Sequence, residues 1–297
     1  MEILTDPWGW WVQPFTDNPF MVRALLAGVL VAVCTSVVGV WVVLRGMAFL
    51  GDALAHGVLP GIAIAFILGV STTAGAVVAA AAMVVGVSLI RSHSPLPDDT
   101  SIGVLFVGML ALAVVVMSSG PAGSSGDLNR FLFGSIAGVG VDDLRGLALA
   151  ALITLAGVVV FHRALVVTTF DDTLATLLGL RPRLTHLALL ALVTVAIVAS
   201  FRTVGSLLVF AFLIAPPASS AMLVRRVPAI MATAVVLGSF AALVGVLVSF
   251  HHDTATGATM ALVSVGIFFC VLTGTGARRA WARRRERTGA RSAVAST

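Results

Sequence analysis

Asp52 and His56 stand four residues apart in Met47-Ala-Phe-Leu-Gly-Asp52-Ala-Leu-Ala-His56-Gly-Val-Leu-Pro60-Gly61, between two strongly apolar runs. On a helix this spacing sets both side chains on one face, one turn apart. Of the thirteen acidic residues, the other twelve read as belonging to the N-terminal tail, to loops or to the C-terminal tail. An ionisable group at membrane depth is costly and ordinarily faces a polar cavity or a pathway. A carboxylate beside an imidazole suits a borderline divalent ion such as Mn²⁺, Fe²⁺ or Zn²⁺. Two donors are too few for a permanent site, which wants about four to six, but they suit an ion that has to be let go. Pro60 has no N–H and crowds the carbonyl four residues back, so the helix should kink or open beside His56.

Other potential ligands read as structural. In His251-His252-Asp253, neighbouring side chains point apart, and the segment reads as a short loop between spans. His93 lies beside Pro95 and Pro97 in a loop, and His162 and His186 fall at the ends of apolar runs. Cys34 and Cys270 both lie inside apolar runs and read as buried thiols rather than a disulfide. The chain contains no lysine, so it has no Gly-x4-Gly-Lys-[Ser/Thr] phosphate loop. If its work is driven by ATP, the ATPase is a separate protein.

The elements that must position Asp52 and His56 are membrane spans. The chain is 59% hydrophobic and 10% charged, with a mean hydropathy of +1.09, too apolar for a soluble domain. It reads as a single all-α, polytopic membrane domain over 1–297 with eight or nine transmembrane helices of about 20 residues each. Spans are expected at 24–44, then one that carries Asp52 and His56 near its start and ends around Gly69, one from after the polar break Ser71-Thr72-Thr73 to Ile90, and others at 101–117, 144–161, 184–201, 203–224, 229–250 and 258–276, with Pro216-Pro217 bending the seventh. Residues 1–19, with Trp8, Trp10 and Trp11, suit an interfacial segment. They carry no basic residue, the reverse of a signal peptide's start. The apolar piece 131–141 is too short to cross and reads as re-entrant or interfacial. Between spans five and six, Phe170–Leu180 reads as a short amphipathic helix begun by Asp171 or Asp172, ended by Gly179 and blocked by Pro182. The basic tail 278–297 should fray.

Arginine placement gives orientation. With nine spans and the C-terminal tail in the cytoplasm, fourteen of the eighteen arginines lie inside and four outside, which satisfies the positive-inside rule with the N-terminus outside. The net charge of +5 therefore reads as membrane orientation, not nucleic-acid binding.

The blocks Arg23-Ala-Leu-Leu-Ala-Gly28, Val43-Leu-Arg45-Gly-Met-Ala-Phe-Leu-Gly-Asp52-Ala-Leu-Ala-His56, Phe131-Leu-Phe-Gly134 and Val204-Gly-Ser-Leu-Leu-Val-Phe-Ala-Phe-Leu-Ile-Ala-Pro216 carry a resemblance. From about Phe20 to Gly276 the chain resembles the membrane permease subunit of bacterial manganese, zinc and iron ABC importers, the ABC-3 family. The resemblance implies a fold related to the vitamin B12 and siderophore importer permeases. It also implies a homodimer in the bacterial plasma membrane, two cytoplasmic ATP-binding subunits and an extracellular metal-binding protein. Asp52 and His56 match the family's metal-contacting residues. Asp171, Asp172, Ala175, Leu178, Gly179 and Leu180 fall in its ATPase-docking loop.

The expected function is thus a non-enzymatic permease for Mn²⁺ or Zn²⁺, with Fe²⁺ behind, and no permanently bound cofactor. A proton-coupled secondary metal transporter is the alternative. A single intramembrane carboxylate counts against it, because such carriers commonly use several ionisable groups.

Overall fold

The computed structural model describes residues 7–93, 98–118 and 138–294. It is helical, with no strand among the described residues. Two short helices, α1 (Pro7–Trp11) and α2 (Gln13–Asp17), precede α3 (Pro19–Leu44), α4 (Ala48–Gly57), α5 (Leu59–Ile67), α6 (Thr72–His93) and α7 (Asp98–Ser118). Then follow α8 (Val141–Phe170), α9 (Asp172–Leu177), α10 (Pro182–Leu223), α11 (Val227–His252) and α12 (Thr256–Val294). Among the described residues, seven segments are long and apolar enough to cross a bilayer, with α4 and α5 together making one of them. Two shorter apolar stretches, Ile102–Ser118 and Leu208–Leu223, complete the expected set.

The bundle has two faces. At one, Phe20 meets Phe250 and Ser249 bonds Thr256, so α3 begins where α11 ends and α12 begins. At the other, the Arg45 guanidinium donates to the hydroxyls of Thr169 (3.0 Å) and Thr168 (2.6 Å), tying the end of α3 to the end of α8. Thr73 and Asp142 line one pocket, so α6 and α8 both start on the first face. Ala113 packs with Ile62 and Ala76, so α7 runs toward that same face.

The long α10 is two antiparallel legs. Pro182 shares a pocket with Arg45, while Ala221 and Val224 pack with Leu44 against Val40. Both ends therefore lie on the Arg45 face, and the chain reverses at Gly205, whose φ of 79° and ψ of 165° are non-helical. These legs match the expected sixth and seventh spans. Pro216 and Pro217 lie inside the second leg, while the non-helical dihedrals recorded inside α10 are those of Gly205. Pro217 offers no N–H to the Leu213 carbonyl. That carbonyl is covered instead by α3, so closely that a Cβ on Gly39 would strike it.

The core forms around α3, which packs on α8, α10 and α11, while α10 also contacts α4, α6 and α12. Helices gain little by leaving lipid for one another, so close packing holds them together. Trp41, at 0% exposure, is the largest fully buried side chain. α1 and α2 lie on the Phe20 face, where Trp10 stacks on His251 at 4.6 Å and Trp8 stays exposed.

Four expectations need correction. Asp142 and Asp143 are not loop residues but the first turn of α8, where negative charge is favourable. Asp143 accepts from the Gly140 N–H at 3.1 Å, and Asp142 pairs with Arg145 at 3.1 Å. α8 continues to Phe170, so His162 is inside the helix, edge-on to Trp41 at 5.7 Å. Cys270 is exposed on the outer side of α12, whereas Cys34 is buried as expected. The Arg/Ala-rich tail stays helical to Val294 rather than fraying, in keeping with the high helix propensity of both residues. The 131–141 piece falls outside the described residues up to 137, as does the Phe131–Gly134 block. The side chains of His93 and Arg202 also lie outside them.

Candidate functional site

The site is built on α4. From Gly51 to Pro60, Asp52 and His56 are the two positions not buried. The remaining side chains seal α4 against α7 and α10, with Leu50 and Leu54 at 1% exposure. The pair is left about 6 and 12 Å along the helix from its start at Ala48, by a rise of about 1.5 Å per residue. Each side chain is a little over a quarter exposed, 28% for Asp52 and 29% for His56. Both side chains therefore stay partly open at the surface of the single chain.

Within the pair, the imidazole Nδ1 is 3.2 Å from Asp52 Oδ1 and 3.1 Å from the Asp52 backbone carbonyl. Both contacts use the same nitrogen, which leaves Nε2 as the one to meet an ion. A carboxylate or carbonyl on the far nitrogen of a ligating histidine fixes its tautomer and ring orientation. Phe106 of α7 stands edge-on to the His56 ring at 6.0 Å and edge-on to Phe49 at 5.6 Å, so an aromatic side chain flanks the pair.

The helix is interrupted just beyond His56, at Val58, which stays right-handed at φ −80° and ψ −17°. The ladder resumes with Ile62 N–H on the Val58 carbonyl at 3.1 Å. Pro60 lacks the N–H that would have met the His56 carbonyl, and the interruption falls beside it.

The second predicted segment forms on the Arg45 face. Asp171 is the N-cap of α9, its Oδ1 accepting from Thr173 N–H (2.8 Å) and Leu174 N–H (2.9 Å). Asp172 occupies the first turn, exposed. Leu178 follows the helix, Gly179 takes a left-handed φ of 73°, and Leu180 N–H returns to the Ala175 carbonyl at 2.9 Å. Ala175 is fully buried, so it seats α9 on the bundle and offers nothing to a partner. The exposed surface is apolar: Phe170 71%, Leu174 46%, Leu177 80% and Leu178 50%. Of these, sequence reasoning singled out Leu178 alone.

Among the described residues, no group of three or more His, Cys, Asp or Glu is arranged to hold a metal. His251 bonds the Leu247 carbonyl through Nδ1 at 2.9 Å and stacks on Trp10, while Asp253 turns away in a left-handed conformation. Phe106 and Arg45 were missed as parts of the machinery. A phenylalanine in an apolar helix carries no signal of its own, and Arg45 meets partners more than 120 residues away.

The profile of the ABC 3 transport family matches residues 17–275. The manganese transport system membrane protein MntC of Listeria innocua is 34% identical over 250 residues, covering 84% of this chain and 89% of that protein. The chelated iron transport system membrane protein YfeD of Yersinia pestis is 34% identical, covering 87% and 86%. Among solved structures, PsaBC from Streptococcus pneumoniae in complex with Fab superposes with a TM-score of 0.78 at 29% identity, covering 88% of this chain and 94% of that one.

Proposed function

Since the chain belongs to the ABC 3 transport family, we propose that it is the permease of an ATP-driven importer of a divalent transition metal. Manganese leads, in line with the manganese and iron names of its relatives, and zinc is kept by the donor chemistry alone. The carrying observation is the Asp52–His56 pair, the two positions from Gly51 to Pro60 that are not buried.

Two copies of the chain face one another across this pair in the bacterial plasma membrane, with the Arg45 face in the cytoplasm. An extracellular metal-binding protein releases the ion on the Phe20 face. Asp52 carboxylate and His56 Nε2, from one or both copies, replace part of its hydration. The shell stays incomplete, so the ion leaves when the path reopens inward. The chain itself makes and breaks no covalent bond.

Drive enters at α9. An ATP-binding subunit grips the exposed Phe170, Leu174, Leu177 and Leu178. Displacement of the Phe170 end of α8 reaches Arg45 through Thr168 and Thr169. Arg45 is joined to α4 by the short Gly46–Met47 turn, so motion at α9 is delivered to the helix that carries the site.

The test is uptake of radioactive Mn²⁺ into proteoliposomes holding the permease and its ATPase. Uptake should require ATP and disappear in Asp52→Ala and in His56→Ala. Uptake driven by a pH gradient with no ATPase present would replace this reading with a secondary transporter.

A further inference from the structure

On the Arg45 face, a second cavity of about 450 Å³ is lined by Arg45, Ser88, Asp172, Arg183, His186 and Leu187, with Pro182 at the start of α10. Neither Asp52 nor His56 is among its lining residues. Two guanidiniums and an imidazole converge there against one carboxylate, so its formal charge is positive even with His186 neutral. Arg183 and His186 lie in the first two turns of α10, where the early N–H groups have no intrahelical acceptor and the helix dipole favours an anion. Arg45 is braced from behind by Thr168 and Thr169, whose hydroxyls accept from it while donating to the carbonyls of Ala164 and Leu165. The guanidinium is thereby held in place beside the cavity.

The surroundings say what kind of anion fits. Leu184 and Leu187 on α10 and Val85 and Leu89 on α6 are exposed at 53%, 36%, 55% and 54%. On α10 the two leucines adjoin Arg183 and His186, and on α6 Val85 and Leu89 lie on either side of Ser88. A basic pocket at the end of membrane helices, bordered by exposed apolar side chains, matches a phospholipid in both its parts. We propose that this cavity binds the phosphate of an anionic phospholipid, with the acyl chains lying along α6 and α10. Asp172, on α9, rims the same cavity, so the lipid would be in contact with the helix that an ATPase subunit is proposed to grip.

The experiment uses the full-length chain purified in detergent and titrated with dioctanoyl-phosphatidylglycerol, dioctanoyl-phosphatidylcholine or sodium phosphate, read as thermal stabilisation. Phosphatidylglycerol should act at about tenfold lower concentration than phosphatidylcholine, and sodium phosphate should not reproduce it. Arg183→Gln should weaken the phosphatidylglycerol effect about fivefold, from roughly 1 kcal/mol per basic residue at an anionic surface. His186→Gln should weaken it too, Arg183→Lys should keep most of it, and Arg145→Gln on the opposite face should leave it unchanged. Equal action of the two lipids overturns the proposal, as does wild-type response in both Arg183→Gln and His186→Gln. Full stabilisation by phosphate alone makes the ligand a soluble anion and overturns the lipid assignment.

Discussion

Gly61 and Gly75 face one another where α5 crosses α6, so closely that a Cβ on either would strike the carbonyl of the other. The contact clamps α5 to its neighbour immediately beyond the interruption at Val58. α4, carrying Asp52 and His56, lies on the other side of Val58 and packs on α7 and α10 instead.

Substitution at the crossing should therefore part the two helices. Gly61→Ala and Gly75→Ala each gain helix propensity of up to about 1 kcal/mol but should lose more through overpacking, of order 1–3 kcal/mol. The expected result is a lower melting temperature of the purified protein for both. Gly108→Ala, where an added Cβ meets nothing within 4 Å, should melt at or slightly above the wild type. A neutral Gly61→Ala would mean that the crossing tolerates separation.

Gly205 is a sharper case. Its φ of 79° with ψ of 165° lies in a region that is essentially glycine-only, and a side chain there costs of order 1–3 kcal/mol. Gly205→Ala should reduce the yield of monodisperse protein and lower its melting temperature. Wild-type stability in that variant would contradict the reversal of α10 at this residue.

At the Asp52–His56 contact, Asp52→Asn preserves size and an acceptor for the His56 ring but removes the carboxylate charge. Uptake of Mn²⁺ by proteoliposomes with ATPase should drop at least tenfold, equivalent to about 1.4 kcal/mol. The double variant with His56→Ala should be scarcely worse than either alone, because the two act as a unit. Phe106→Ala should raise the Mn²⁺ concentration for half-maximal uptake by a few fold, since an edge-on aromatic contact contributes about 0.5–1.5 kcal/mol. Additive losses at Asp52 and His56 would show that they serve different steps.

For α9, Asp171→Ala removes the cap that holds Thr173 and Leu174, a loss of about 1 kcal/mol, whereas Asp171→Asn retains most of it. In the assembled importer, Asp171→Ala should lower the number of ions moved per ATP hydrolysed, with Asp171→Asn near the wild type. An unchanged ratio in both would remove α9 from the coupling route.

Much of this was legible from single residues. Asp52 and His56 announce themselves because charge in an apolar run is costly, and Asp171, Gly179 and Pro182 bracket α9 through local backbone chemistry. The failures have one physical origin: sequence shows what a residue is, not which way its helix is turned. Apolar spans have nearly uniform surfaces, so Cys270 on the outside of α12 and Cys34 in the core looked alike, and Ala175 looked as available as Leu178. Asp142 and Asp143 were read as loop because acids suit both a loop and a helix's first turn. The tie between Arg45 and Thr168 joins residues far apart in the chain, and no local pattern encodes it.

The path from Asn18 on the Phe20 face to Arg278 on the Arg45 face ends across the membrane from where it began. A gene fusion that simply repeated this chain would insert its second half upside down unless one more crossing helix were added. In the dimer proposed above, a fused pair related by a rotation axis along the membrane normal would need that extra helix, whereas separately made chains would not.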